Sequence, residues 1–138
     1  TGLLSQKSYL NRTLNLQPED KMLIVLDLDN FKYINDTYGH QAGDQCLKVI
    51  AECLKKAYSR YGNCYRIGGD EFCVLFRKPE KEKYCREKFY WITEKIAAYA
   101  PGASYGSALI EEQESISDTK ARADANMYAN KKARKQAR

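Results

Sequence analysis

The chain has 138 residues, of which 43% are hydrophobic and 30% are charged, and its formal net charge is +5. This length suits a single core, so residues 1–138 are expected to form one domain. The composition excludes a disordered chain. The longest aliphatic run covers only residues 22–26, which is far too short for a membrane-spanning helix.

The cysteines and the first residues indicate the setting in which the chain works. Five cysteines cannot all pair, and no two have the Cys-x-x-Cys spacing of a structural zinc site. A reducing, cytoplasmic setting is therefore expected. The sequence begins at Thr1 without an initiator Met or a secretory signal. We expect a piece of a longer protein, whose N-terminal region would hold a regulatory domain or a membrane anchor.

The positive charge is concentrated at the C-terminus. Residues 120–138 contain seven Lys or Arg residues and a single Asp, whereas the rest of the chain is close to neutral. Such a segment can be a solvated helix end, a phosphate-binding clamp or an arm that binds nucleic acid. Composition alone favours the solvated helix end.

The first half of the chain predicts a helix, a strand and a second helix. The apolar run over residues 21–27 is bounded by charged residues, which predicts a strand buried on both faces. Between residues 40 and 59, apolar side chains recur at spacings of three and four. This pattern predicts a long amphipathic helix that covers the sheet.

The second half predicts a hairpin, a helix, a strand and a final helix. Residues 64–67 and 72–76 flank the Gly68-Gly69 pair, which is typical of an antiparallel hairpin whose turn needs positive φ. A helix follows Pro79, a strand covers residues 104–110, and an Ala-rich helix runs from residue 119 to about 134. The order of elements predicts an α/β fold with a mixed sheet covered by helices on at least one face.

Acidic residues follow two of the predicted strand ends. Asp27 and Asp29 end the first strand, and Asp70 and Glu71 follow the glycine pair directly. If the hairpin lies beside the first strand, these carboxylates meet at one edge of the sheet. Mg²⁺ usually takes one or two carboxylates plus substrate phosphates, so such a cluster suits a nucleotide with its metal ion. The alternative is that acids and glycines simply occupy turns.

The segment after the first strand is longer and more polar than a connection needs. A predicted helical turn over residues 30–34 would point free N–H groups at a phosphate. Asn35 and Asp44 have the groups that read a base edge, because a carboxylate accepts hydrogen bonds from the ring N–H and amino group of guanine. The sequence has no Walker motif and no Gly-x-Gly-x-x-Gly, which removes the support for P-loop and Rossmann chemistry.

Two long motifs resemble a known family. Residues 66–72, Arg-Ile-Gly-Gly-Asp-Glu-Phe, carry the signature of the GGDEF domains, the diguanylate cyclases. Residues 27–44 match the family's Asp-x-Asp-x-Phe-Lys-x-x-Asn-Asp-x-x-Gly-His-x-x-Gly-Asp motif at every fixed position. Shorter similarities to the family's entry motif, Ser-x-Gly strand and final helix cover residues 1–3, 104–106 and 123–131. The resemblance therefore extends from residue 1 to about residue 135.

The resemblance implies a fold. It is the mainly antiparallel sheet of the nucleotide cyclases and polymerase palms, with a ferredoxin-like core covered by helices. One departure lies in the final helix, where Asn126 and Asn130 stand at positions that are usually small and apolar.

The resemblance also implies site residues and a cofactor. Asp27, Asp70 and Glu71 would be catalytic and would bind Mg²⁺ or Mn²⁺, assisted by the carbonyl of Leu28. Asn35 and Asp44 would hold guanine, and the C-terminal lysines would contact the phosphates. The residues implied to bind GTP are Phe31, Lys32, Asn35, Asp44, Gly69, Lys131 and Lys135.

The implied reaction is the condensation of two GTP molecules into cyclic di-GMP with release of pyrophosphate. Because one domain holds one GTP, catalysis would need a homodimer. The alternative is a catalytically weak or inactive GTP-binding module that regulates a partner domain. Activity is favoured because Asp70 and Glu71 are both present. With its basic residues assigned to phosphates, the C-terminal segment no longer predicts nucleic acid as a partner.

A product-binding site before the signature is not expected. Many relatives have an inhibitory Arg-x-x-Asp site there, but counting back from Arg66 the two positions hold Ser59 and Gly62. Arg60 and Asn63 keep the spacing one residue out of frame. Such a shift turns side chains of an extended segment to the opposite face, so we expect no inhibitory product site.

Overall fold

The computed structural model describes residues 3–100 and 102–136, with side chains described up to residue 132. Thr1 and Gly2 of the expected entry motif and the side chain of Lys135 lie outside this part. Helices and strands are interspersed along the chain, with a 3₁₀ turn at Pro79–Lys81. The elements are α1 (Gln6–Leu14), β1 (Met22–Leu28), α2 (Phe31–Tyr38), α3 (His40–Tyr58), β2 (Gly62–Arg66), β3 (Glu71–Phe76), α4 (Glu82–Ile96), β4 (Ala103–Leu109) and α5 (Ile116–Gln136).

One four-stranded sheet organises the structure, in the order β2-β3-β1-β4. All three neighbouring pairs are antiparallel, which confirms the predicted hairpin and the mainly antiparallel sheet. The parallel component is an isolated bridge between Leu4 and Tyr65. The strand with the continuous apolar run, β1, lies in the interior of the sheet. Its end therefore lies between β3 and β4, where the predicted acidic edge is located.

Helices cover both faces of the sheet. Because side chains alternate along a strand, Ile24 and Leu26 of β1 face the core formed with α3 and α4. Leu23 and Val25 face the opposite core, which includes Ala123 of α5. The same alternation places Asp27 on the α5 side. The helix α5 is thus the one whose side chains can reach the acidic end of β1.

Two local features differ from the sequence prediction. The expected helical turn over residues 30–34 is a complete helix, α2, because Phe31 and Ile34 are buried on one side of it. The expected positive φ in the Gly68-Gly69 turn is wrong, since among the described glycines only Gly39 has a positive φ, +89°. Four residues separate β2 from β3, so this longer turn closes without the strained geometry of a two-residue hairpin.

The helix α5 lies along β4, the edge strand of the sheet. Gly106 makes the close approach possible, because a Cβ there would overlap the α5 backbone near Ala123 and Met127. Side chains of α5 donate hydrogen bonds to successive outward carbonyls of β4. These bonds run from Arg122 Nη2 to Leu109 O (2.5 Å), from Asn126 Nδ2 to Ser107 O (2.8 Å) and from Asn130 Nδ2 to Tyr105 O (3.1 Å).

These hydrogen bonds, called the asparagine ladder below, explain why Asn126 and Asn130 stand in the final helix. An edge strand exposes unpaired carbonyls, and the two amide side chains satisfy them at steps of four helical and two strand residues. The ladder also fixes the position of α5 along the sheet. Lys131 follows Asn130 directly, so its position is set by the same contacts.

The described helices include none that is long and apolar enough to cross a membrane. All five cysteines are buried free thiols.

Candidate active site

The acidic residues predicted from the sequence meet at the end of the sheet. Asp27 on β1 lies directly opposite Glu71 on β3, and both belong to the face covered by α5. The turn before β3 folds back on β1, because the Leu28 N–H donates a hydrogen bond of 3.0 Å to the Asp70 carbonyl. Arg66 stiffens this turn by donating to the carbonyls of Gly68 and Gly69, at 3.2 and 2.9 Å. The signature turn is thus held against the end of β1.

The carboxyl group of Asp27 has an unusual environment. Its Oδ1 is buried and has no hydrogen-bond partner among the described residues. Burial is the main cause that raises the pKa of Asp27 to about 7. The negative charge of Asp70, the hydrogen bond between Asp27 and Asp70, and the charge of Glu71 raise this pKa further. Lys131 acts in the opposite direction. The site therefore concentrates negative charge that its own cations do not neutralise fully.

Asp29, the second acid at the end of β1, is held by partners from two other elements. The Ser104 hydroxyl on β4 donates a hydrogen bond of 2.8 Å to its Oδ1, and the Nζ of Lys131 lies 3.3 Å from the same oxygen. Lys131, expected at the phosphates, therefore pairs with an acid at the acidic end of the sheet in this structure. This contact brings the far end of α5 to the acidic cluster.

A second lysine contact was not expected from the sequence. The Nζ of Lys120, in the first third of α5, lies 2.8 Å from Glu71 Oε1 and 2.9 Å from Asp124 Oδ2. Arg122, two residues on, pairs with Glu114. Three of the basic residues of the C-terminal segment are thus engaged in ion pairs, whereas Lys132 is exposed.

A polar cleft of about 490 Å³ opens beside the acidic cluster. It lies between α2, the start of α3 and the signature turn. Asp70 belongs both to the cleft and to the carboxylate cluster. Most residues predicted to bind the substrate line it, namely Phe31, Lys32, Asn35, Asp44 and Gly69. Lys131 lies instead in a neighbouring cavity of about 490 Å³, together with Ser104 and residues of α4.

Gly43 creates the space for Asn35. A Cβ at Gly43 would overlap the Asn35 side-chain oxygen, so the amide rests directly on the α3 backbone. The structure thereby holds one polar group of the cleft in a defined position. The motif gave Gly43 as a fixed position, but only the packing of α2 on α3 reveals why a side chain is excluded there.

The start of α2 faces the same region. Asn30 precedes the helix with a φ of +55°, and its side chain makes no capping hydrogen bond. The first N–H groups of a helix have no partner within the helix, and they favour an anion. The chain between β1 and α2 is short, so this helix end lies close to Asp27.

The donor set fits a divalent cation supplied together with substrate. Within the described residues, no group of three His, Cys, Asp or Glu side chains is arranged to hold a metal ion. However, Mg²⁺ commonly takes one or two carboxylates and completes its ligand set with phosphate and water. The unpartnered Asp27 Oδ1 beside Asp70 matches that need.

Comparisons with known proteins agree on one family. The family described as "Diguanylate cyclase, GGDEF domain" matches residues 4–137. The diguanylate cyclase DgcZ of Escherichia coli (strain K12) is 38% identical over 90 residues, which cover 62% of this chain and 30% of that protein. The protein named probable diguanylate cyclase DgcI, from the same strain, is 30% identical over 133 residues, covering 96% of this chain and 30% of that protein.

A solved structure supports the same assignment. The crystal structure of the GGDEF domain of DgcB from Caulobacter crescentus in complex with c-di-GMP has a TM-score of 0.80 and 29% identity. The match covers 96% of this chain and 88% of that chain. This chain therefore has the GGDEF fold, and it belongs to the GGDEF domain family, the family of the diguanylate cyclases.

Proposed function

We propose that this domain condenses two GTP molecules into cyclic di-GMP, with release of two pyrophosphates. The observation that carries the proposal is the position of Asp70, which joins a partly buried carboxylate cluster to a nucleotide-sized polar cleft. A cleft alone would suit many ligands. A cleft whose wall continues into Asp27 and Glu71 suits a ligand that brings both a base and a metal-bound phosphate chain.

The cleft favours guanine as the base. The carboxylate of Asp44 can accept hydrogen bonds from the ring N–H and the amino group of guanine, and Asn35 can pair with further edge atoms. Adenine would leave the Asp44 carboxylate without these donors. In competition between equal concentrations of GTP and ATP, we expect almost exclusive incorporation of GTP, and comparable incorporation of both would contradict this role of Asp44.

The phosphates would lie between the start of α2 and α5. Phe31 and Lys32 place the first N–H groups of α2 near the end of β1. Lys131 would exchange its contact with Asp29 for the terminal phosphates, and Lys135 follows four residues later on the same helical face. The backbone at Gly69 carries no side chain that would obstruct the approach of the nucleotide.

The acids have a separate role. Asp27, Asp70 and Glu71, with the Leu28 carbonyl, would hold Mg²⁺ or Mn²⁺. When bound, such an ion lowers the pKa of the attacking 3′-hydroxyl and neutralises charge on the phosphoryl oxygens. The repulsion among the three acids prepares the site for a cation, because the cluster is unfavourable without one.

Catalysis needs two copies of the domain. Residues 1–138 would act as one catalytic unit with one GTP, so the two nucleotides must meet face to face across a homodimer. The specific activity should therefore fall on dilution, and a parallel coiled coil fused to the N-terminus should raise it by increasing the effective concentration. Equal specific activity at all dilutions would show that assembly of the dimer is not limiting.

The deciding experiment is product formation by the purified domain with GTP and Mg²⁺, followed by mass spectrometry. We expect cyclic di-GMP from the parent chain and none from Asp70→Asn, whose circular dichroism spectrum should be unchanged because Asp70 lies in a turn. A matched control is Asp118→Asn, the same change at an acid in the first turn of α5. This control should keep the parent activity.

The alternative is a GTP-binding regulatory module without turnover. It would be supported if the parent chain binds GTP but forms no product even when fused to the coiled coil. Product formation by Asp70→Asn at the parent rate would instead show that the assignment of the metal site is wrong.

A further inference from the structure

Two lysines of α5 hold acids at the proposed metal edge. Lys120 contacts Glu71 at 2.8 Å, and Lys131 lies 3.3 Å from Asp29. They are eleven residues apart, which is three helical turns or about 16 Å along one face of α5. The helix thus supplies a fixed positive charge to each of two acids, whereas no lysine among the described side chains forms an ion pair with Asp27 or Asp70.

The contact at Lys120 is built into the fold. Its side chain is only 26% exposed, and its Nζ lies between Glu71 and Asp124, at 2.8 and 2.9 Å. The second oxygen of Asp124 is buried and has no hydrogen-bond partner within the part of the chain that the structure describes. The packing of α5 on Gly106 fixes the helix backbone. One oxygen of Glu71 is therefore engaged by a lysine of α5.

We propose that Lys120 is a positioning residue that serves as a permanent counter-ion for Glu71. Lys120 occupies one Glu71 oxygen, and its positive charge makes the electrostatic potential of the cluster less negative. It thereby keeps the nucleotide-free site from binding a divalent cation tightly. The cation then enters together with the phosphates of the nucleotide, which complete its ligand set. This inference rests on the metal-binding role of Asp27, Asp70 and Glu71 in the proposed function.

The test measures cation binding directly, without turnover. Mn²⁺ binding to the nucleotide-free domain is followed by electron paramagnetic resonance of the free ion, for the parent chain and for Lys120→Met. Methionine retains the apolar stem but not the charge. We expect Lys120→Met to bind Mn²⁺ about fivefold or more tightly, because a unit charge several ångströms away is removed. Lys132→Met, the same change at an exposed lysine of α5, is the matched control and should bind like the parent.

A double-mutant cycle tests whether Lys120 changes Mn²⁺ binding through Glu71. If Lys120 acts through Glu71, the gain from Lys120→Met should largely disappear in a Glu71→Gln background. Unchanged or weaker Mn²⁺ binding by Lys120→Met, or an equal gain from Lys132→Met, would overturn the inference. Urea unfolding of each variant checks that the fold is intact. If Lys120→Met does not fold, Lys120→Gln gives the same comparison with a polar side chain.

A second arm separates this inference from the proposed function. The same titrations are repeated with the non-reactive α,β-methylene analogue of GTP. We expect Mn²⁺ to bind the parent chain much more tightly in its presence, with a smaller difference between the parent and Lys120→Met. If the parent binds Mn²⁺ in neither condition, the proposed metal site fails, and the inference fails with it. If the parent binds only with the analogue and Lys120→Met behaves identically throughout, only the inference fails.

Discussion

Replacing Asp27 by Asn tests the partly buried carboxylate cluster through its effect on stability. Burial, followed by repulsion from Asp70, raises the pKa of Asp27 from 3.8 to about 7. Between these values the native state binds more protons than the unfolded chain, so the free energy of unfolding falls as the pH rises. The stabilising contribution of the protonated group is complete below about pH 4 and is lost as the pH rises to about 7. Asparagine is neutral throughout this range.

The magnitude follows from the shift. Each pKa unit corresponds to about 1.4 kcal/mol, so a rigid, dry site would lose about 4 kcal/mol across the full window. Asp27 is partly exposed at a solvent-facing edge, where screening by water and ions reduces this to about 2 kcal/mol. We therefore expect the stability of Asp27→Asn relative to the parent to increase by about 2 kcal/mol between pH 4 and pH 8.

The assay is urea unfolding at several pH values in the presence of EDTA. The substitution also changes the free energy of unfolding by an amount that does not depend on pH. This amount does not affect the test, because only the change of the difference between the two chains with pH is compared. Addition of Mn²⁺ at pH 8 should stabilise the parent chain more than Asp27→Asn. A difference in unfolding free energy between the two chains that stays the same from pH 4 to pH 8 would refute the reasoning about the carboxylate cluster.

Three further predictions concern other parts of the fold. Gly43→Ala should raise the KM for GTP about tenfold by displacing Asn35, without loss of stability, because Ala is about 1 kcal/mol more favourable than Gly in a helix. An unchanged KM would contradict the role of Asn35. Gly106→Ala should cost about 1–3 kcal/mol in urea unfolding, because its Cβ overlaps α5, whereas Gly69→Ala meets no atom within 4 Å and should cost little. Titration calorimetry should find no submicromolar binding of cyclic di-GMP at Arg60 and Asn63, the pair that keeps the inhibitory spacing one residue out of frame. Tight binding that is lost in Arg60→Ala would show that this pair binds the product.

The sequence predicted the elements because their patterns are local. Apolar spacing identified β1 and α3 within one or two residues. In the structure Ser115 caps α5 by accepting a hydrogen bond of 3.1 Å from the Asp118 N–H. The turn at Gly68-Gly69 was predicted with the wrong backbone conformation. The glycine pair is typical of a two-residue turn, whereas the hydrogen bonds from Ile67 and Gly68 to the Glu71 carbonyl close a longer one.

The residues of the candidate site could be predicted, but their partners could not. The spacing of the acids and the two motifs identified Asp27, Asp70, Asn35 and Asp44 before any fold was known. Nothing in that spacing indicates that Gly43 makes room for Asn35. Such a relation depends on two helix backbones lying in contact, which is a property of packing.

By itself, then, the sequence determined the order of elements, the family and the chemical groups at the sheet edge. These depend on short-range periodicity and on residue types at fixed spacing. Only the tertiary structure decided which cations meet which acids, since Lys131 and Asp29 are more than a hundred residues apart, and Lys120 and Glu71 nearly fifty. The physical reason lies in the packing of α5, because the space at Gly106 and the asparagine ladder fix where along β4 the helix sits.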